Sequence, residues 1–286
     1  MDARSLTYNL DGAWRNGKGQ AACPVCQPER RKDQDALSIG ESNGKILLYR
    51  FKRRCSFVDI ANASAMPLDA VQVDFEAQKE VDEKQKAYES TMLKKARLLW
   101  ESTANIQGTK AETYLRSRGI TVPLPPTLRF IPHIYHAPTA SWGCAMVGFV
   151  HPTGGVHRTY LTKEGKKVPK NAKLMLGPCA GGSVKLSQGV GPVVVTEGIE
   201  TGLSVLQGLT TPSPTVLAAL STSGMKSLIL SPTAGTLSIF RDGDEAGEEA
   251  AKILASRATN LGWRVAITAP KEGKDWNDIL IEGIAL

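Results

Sequence analysis

The stretch Thr236-Leu237-Ser238-Ile239-Phe240-Arg241-Asp242-Gly243-Asp244 decides how the C-terminal part of this chain is read. Its first five residues form a short run of strand type, and the Asp-Gly-Asp that follows ends it. A glycine between two aspartates lets both carboxylates turn toward one hard cation. From about Glu245 to Thr259 the spacing predicts a helix, with Ala246, Ala250, Ile253 and Leu254 at i, i+4, i+7 and i+8.

The same alternation extends to either side. Pro192-Val193-Val194-Val195-Thr196 is a β-branched run suited to a buried strand, closed by Glu197-Gly198. Glu200 to Leu209 then has helical spacing, with Leu203, Val205 and Leu206 on its apolar side. Val216–Leu220 and Arg264–Thr268 read as further strands, and Gly273-Lys274-Asp275-Trp276-Asn277-Asp278 follows the last one. Strands alternating with helices of this length predict an α/β fold with a mainly parallel sheet flanked by helices. In such sheets active groups gather at the C-terminal strand ends. Glu197, Asp242, Asp244, Asp275 and Asp278 all fall there. Clustered carboxylates repel one another and a divalent cation relieves that, which suits phosphoryl chemistry. Asp275 reads either as a further acid of this site or as a helix N-cap.

The ordered set Val-Val-Val-Thr-Glu197-Gly, Phe-Arg-Asp242-Gly-Asp244-Glu-Ala-Gly247 and Lys274-Asp275-Trp-Asn-Asp278 resembles the Toprim domain of bacterial and phage primases, topoisomerases, some nucleases and recombination proteins. The resemblance covers about the last hundred residues. It implies that Glu197, Asp242 and Asp244 are catalytic and hold Mg²⁺ or Mn²⁺, with Glu197 also acting in acid–base chemistry and Asp278 as an additional acid. Many relatives carry another acid four residues after the glutamate; here that position is Thr201, and Glu200 lies one residue earlier.

Four segments are expected: a zinc-ribbon-like β module at 1–62, a helical linker at 63–103, a basic α+β subdomain at 104–188 and the Toprim-type domain at 189–286. Within the third, a short helix Ala111–Arg118 closed by Gly119 precedes strands Met146–His151 and Val156–Leu161. His157, Arg158, Lys163, Lys166, Lys167, Lys170 and Lys173 concentrate positive charge just before the first Toprim-type strand, as a phosphate-rich ligand requires or as a solvated hairpin would also display. The stretch from Trp100 through Leu186 resembles the segment preceding Toprim in phage and mobile-element primases, carried by Gly108-Thr-Lys-Ala-Glu-Thr-Tyr-Leu-Arg-Ser-Arg-Gly119 and Ala172-Lys173-Leu-Met-Leu-Gly177. That likeness implies nucleoside triphosphate and template binding, with Arg158, Lys170 and Lys173 as the phosphate contacts.

Cys23-Pro-Val-Cys26 is a half-site for zinc, and Cys55 follows at a distance, across a strand-like Lys45–Phe51. The arrangement resembles the zinc-binding module of primases. It departs from that pattern where a fourth ligand is expected, at Arg50 and Phe51, and no histidine occurs before His133. Zinc on three ligands, a borrowed fourth and a lost metal all remain open. Arg53 and Arg54, among interleaved aromatics, suit contact with a single-stranded template or a solvated strand edge. Cys144 and Cys179 read as ordinary thiols, and the four histidines lack metal spacing.

The net charge of +7 is unevenly spread. Residues 1–62 hold 11 Lys/Arg against 7 Asp/Glu and residues 63–189 hold 17 against 10, whereas residues 190–286 hold 7 against 11. The front two-thirds therefore attract polyanions, and the last third attracts cations. No long apolar run predicts a membrane span, no signal-type start is present, and an odd count of five cysteines argues against a disulfide framework. A cytoplasmic location is expected.

Taken with the resemblance, these features favour a DNA primase of phage or mobile-element type. It would make short RNA primers on single-stranded DNA from nucleoside triphosphates, with a separate replicative helicase as partner, since no Gly-x-x-x-x-Gly-Lys-Ser/Thr loop is present. The alternatives are a Toprim metal-dependent nuclease and a non-catalytic nucleic-acid-binding replication accessory protein.

Overall fold

In the computed structural model the described residues are 2–30, 34–42, 44–50, 55, 57–64, 75–208, 213–271 and 274–283. The chain falls into two compact units, Met1–Tyr88 and Glu89–Leu286.

In the first unit, helix α1 (Ala3–Asn9) is followed by strands β1 (Ala13–Arg15), β2 (Lys18–Ala21), β3 (Leu37–Ser42) and β4 (Lys45–Arg50) and by helix α2 (Phe57–Ala63). Asp2 caps α1 by accepting the Ser5 N–H at 2.6 Å. The four strands pair antiparallel in chain order. Leu6 and Leu10 of the α1 region pack with Leu37, Ile39, Ile46, Leu48 and Ile60 into one small core, which also takes in Cys23 and Cys55. The expected β module is thus present. The strand-like Lys45–Phe51 is observed as far as Arg50; Phe51 lies outside the described residues.

Helix α3 (Phe75–Glu101) leads into the second unit. The expected helical start near residue 68 lies outside the described residues. The remaining elements are β5 (Ala104–Asn105), α4 (Lys110–Ser117), β6 (Leu128–His136), β7 (Ser141–His151), β8 (Val156–Leu161), β9 (Lys173–Leu176), β10 (Ser183–Lys185), β11 (Val193–Thr196), α5 (Ile199–Gly208), β12 (Thr215–Ala218), α6 (Thr222–Ser227), β13 (Thr236–Phe240), α7 (Glu245–Asn260), β14 (Arg264–Thr268) and α8 (Trp276–Ile281).

Among the described residues one ten-stranded sheet runs through the whole second unit, in the order β14-β13-β11-β12-β10-β7-β6-β5, with β8 paired to β7 and β9 to β8. The first four strands of that order are mutually parallel, and every later pairing is antiparallel. Both faces of the central strand β11 are covered, whereas the edge strand β14 is largely exposed. Val194 points into a core with Leu203 of α5 and Trp276 and Ile279 of α8, while Val195 points into another with Met225 of α6 and Ala250 and Leu254 of α7. This double burial is why β11 is continuously β-branched. Helix α5 lies close on the sheet because residue 202 is glycine: a Cβ there would stand 2.4 Å from Leu186 Cδ1 and 2.8 Å from Thr196 Oγ1.

Strand β6 and the short β9 and β10 are additions to the sequence expectation. Strand β6 contains Pro132 and alternates imperfectly, with a bulge between Ile131 and Ile134 that interrupts a simple period-two pattern.

Candidate active site

Strand β11 delivers Glu197 to the C-terminal edge of the parallel sheet, and β13 delivers Asp242 and Asp244 beside it. The turn at Glu197 is fixed from the next strand. The Ala219 N–H donates to Thr196 O at 2.8 Å and the Leu220 N–H to Glu197 O at 2.7 Å. Leu220 makes its bond from φ +74°, left-handed backbone that a leucine adopts only under constraint.

The Asp242-Gly243-Asp244 turn is held from both sides. Asp244 is the N-cap of α7 and accepts the Gly247 N–H at 2.7 Å. A Cβ at position 247 would meet Asp244 Oδ1 at 2.9 Å and Asp242 O at 3.0 Å, which accounts for the glycine in this motif. Trp276 Nε1 donates to Arg241 O at 2.8 Å, and its ring packs edge-on against Phe240 with centroids 5.0 Å apart. The buried indole thereby ties α8 to the end of β13.

The carboxylates feel one another. Burial, followed by the charges of Asp242 and Asp244, pushes Glu197 up to about 6. Burial and the Asp244 charge raise Asp242 as well. Lys173, at the start of β9, is the cation that offsets both. It donates to Glu200 Oε2 at 3.0 Å. Glu200 lies in the first turn of α5, is buried, and accepts a second hydrogen bond on Oε1 from Tyr114 Oη at 3.0 Å. Burial alone would raise Glu200, but the Lys173 charge and hydrogen bonds bring it down to about 2. Next to this pair is His157, whose buried Nδ1 has no hydrogen-bond partner. Burial drives its imidazole down to about 4.

The other sequence-predicted residues fall as follows. Arg158 donates to Tyr160 Oη at 3.0 Å and to Met175 O at 2.9 Å, so its guanidinium is engaged within the sheet. Lys170 is exposed on the loop before β9. Asp275 is the N-cap of α8, and Asp278 completes a capping box by accepting the Asp275 N–H at 3.0 Å. Arg53 and Arg54 lie outside the described residues. The thiols of Cys23, Cys26 and Cys55 lie within 4.8 Å of one another, with Cys23 and Cys55 sulfurs 3.9 Å apart. Burial and the two neighbouring cysteines push Cys26 up to about 12. Soft sulfur donors gathered this closely fit a zinc-binding module. Cys144 and Cys179 are buried.

Glu197, Asp242 and Asp244 offer hard oxygen donors of the kind that suits Mg²⁺ or Mn²⁺. Burial, followed by the neighbouring acid charges, raises Glu197 and Asp242. Among the described residues the group of three or more such ligands gathered within 4.8 Å is the cysteine cluster. Sequence reasoning undervalued the buried group beside them. Glu200 sits one turn after Glu197 on α5, a spacing that was visible; Tyr114 and His157 come from distant segments, and nothing local marks them.

Three solved primase structures show partial likeness to this chain. A DNA primase domain from Pseudomonas aeruginosa is 16% identical over 62% of this chain and 68% of its own, with a TM-score of 0.38. The zinc-binding and RNA polymerase domains of the Aquifex aeolicus primase are 13% identical over 99% of this chain and 80% of theirs, at 0.41. The RNA polymerase domain of the Mycobacterium tuberculosis primase is 14% identical over 68% of this chain and 79% of its own, at 0.44. No curated protein matches the chain. Residues 90–186 match a family described as a domain of unknown function, DUF7146, and residues 192–285 match the Toprim domain family. The strand-end acids at Glu197, Asp242 and Asp244 lie inside the second match, so the segment from 192 to 285 is the part of the chain that matches the Toprim domain family.

Proposed function

We propose that this chain is a DNA primase that makes short RNA primers on single-stranded DNA. The observation that carries the reading is the convergence of Glu197, Asp242 and Asp244 at one sheet edge, with the Lys173–Glu200 pair beside them. Magnesium or manganese held by these acids would stabilise charge on the phosphate oxygens. In this reading the 3′-hydroxyl of one nucleotide attacks the α-phosphate of the next; the new P–O bond forms as the bond to pyrophosphate breaks. Glu197 takes the hydroxyl proton. Lys173 is assigned to neutralising phosphate charge, a role supported by its bond to Glu200, which also accepts from Tyr114. The cysteine unit, with Arg53 and Arg54, is assigned to template contact, and Lys170 to nucleotide and template contact. Arg158, expected as a phosphate contact, is assigned to holding the sheet of its own unit through Tyr160 and Met175. Zinc is assigned to Cys23, Cys26 and Cys55; atomic absorption should find it in the purified chain and find it lost in Cys23→Ser.

The deciding experiment supplies mixed-sequence single-stranded templates, labelled nucleoside triphosphates and Mg²⁺. Short labelled oligomers that vanish in Asp242→Ala/Asp244→Ala are the expected result. Metal-dependent shortening of the template, without oligomers, would transfer the same acids to a nuclease. Binding of template with neither product would make the chain a replication accessory protein. Among the described residues no helix is long and apolar enough to cross a membrane.

A further inference from the structure

Three aromatic rings stand in solvent at the end of the β6–β7 hairpin. His133 and Trp142 stack with centroids 4.4 Å apart and planes 5° from parallel, and Tyr135 lies tilted 5.5 Å from Trp142. Trp142 remains 59% exposed and Tyr135 45% exposed. Tyr135 and Trp142 are direct cross-strand partners. The bulge between Ile131 and Ile134 changes the strand's alternation, so Ile134 enters the core while Tyr135, its neighbour, is left outside.

The loop beside these rings is strongly basic. Residues 162–172 carry Lys163, Lys166, Lys167 and Lys170, all exposed, against a single acid, Glu164. Lys163 interacts electrostatically with Glu164, which leaves Lys166, Lys167 and Lys170 as the exposed cations of the loop. The loop is fastened to the hairpin by His136 Nε2 and Asn171 O at 3.0 Å and by Cys144 Sγ, 3.8 Å from both Leu161 O and Thr162 O. Its far end runs into β9, whose first residue, Lys173, reaches Glu200 at the acidic edge. Positive charge therefore leads from the acids to the rings.

We propose that the Trp142–Tyr135–His133 face and the lysines of the 162–172 loop bind single-stranded nucleic acid. Bases stack on the rings and phosphates meet the lysines. Only unpaired bases offer free π faces, so a duplex does not satisfy the rings. The flanking cations favour a polyanion over an apolar protein partner. The assignment deepens the template side of the primase reading and rests on it for where the strand leads, but the binding itself needs no catalysis.

The test uses the full chain and fluorescein-labelled oligothymidylate, with no nucleoside triphosphate and no added divalent ion. Trp142→Ala should weaken binding about tenfold, and Trp142→Phe should recover most of that. Lys166→Ala/Lys167→Ala should lower the slope of log affinity against log salt by about 1.4, for two lost phosphate contacts. An oligonucleotide carrying 5-iodouracil should photo-cross-link within the peptide spanning Tyr135 to Trp142. Unchanged affinity in Trp142→Ala with cross-links confined to other segments would overturn the assignment. So would a change in self-association of Trp142→Ala, seen by sedimentation with oligonucleotide affinity unchanged, which would make the face a contact between copies. Lost primer synthesis with these contacts intact sinks the catalytic reading alone.

Discussion

The parallel and antiparallel halves of the ten-stranded sheet solve different problems. In the parallel half each acid belongs to the strand it terminates, and helices on both faces hold the strand ends still. In the antiparallel half the polar residues lie along strand faces and reach the same edge from the side: Lys173 from β9 and His157 from β8. One half supplies negative charge by register; the other supplies the countercharge by packing. The contrast teaches that an acidic site of this kind is written locally, while its neutralisation is written across the whole domain.

The largest effect should come from the acids. Asp242→Ala/Asp244→Ala should slow metal-dependent product formation on the order of 10⁴-fold, equivalent to roughly 5 kcal/mol, measured as initial rates. Its circular dichroism should stay near that of the parent, although the lost α7 cap costs about 1 kcal/mol. A rate near the parent's would break the division between the halves outright.

Trp276→Ala should cost about 4 kcal/mol in urea unfolding, because it opens a cavity against Phe240 and removes the bond to Arg241 O. A loss below about 1 kcal/mol would mean that α8 does not secure the end of β13.

Acid should destabilise the antiparallel half through His157. Its folded value, about 4, lies below the ordinary 6.5. Between those values the unfolded chain takes up a proton that the folded chain refuses. The His157 contribution is therefore full above about pH 6.5 and falls as the pH drops toward 4, by about 3 kcal/mol, while Glu197, pushed up to about 6, contributes in the opposite sense. Urea midpoints measured across this range should flatten in His157→Gln; an unchanged profile would assign the acid sensitivity elsewhere. Glu200 adds its own loss only lower, from 4.5 toward about 2.

Lys173→Met leaves the buried Glu200 without its cation. Because Lys173 is 40% exposed, about 2 kcal/mol is expected, less than for a fully buried pair. Adding Glu200→Gln should restore most of that loss, a non-additivity read from the four urea curves of the cycle. Simple additivity would sharpen the comparison in the other direction, making Lys173 a ligand contact and not a structural partner.

Several features were fixed by local sequence. The runs at 236–240 and 264–268 are strands over those same residues, and the run at 193–196 is a strand because β-branched side chains buried on both faces leave few alternatives. The Asp-Gly-Asp turn, the glycine at 247 and the cysteine pair at 23 and 26 carry their chemistry within a few residues of chain. Tertiary structure decided the rest. It joined the middle segment and the Toprim domain in one sheet, closed Cys55 onto Cys23, and made the Asp275–Asp278 pair a helix cap. It also paired Lys173 with Glu200 and brought Tyr114, 86 residues earlier in the chain, onto the same carboxylate. Such contacts have no sequence period, because a hydrogen bond or an ion pair between distant segments depends only on where packing brings two side chains together.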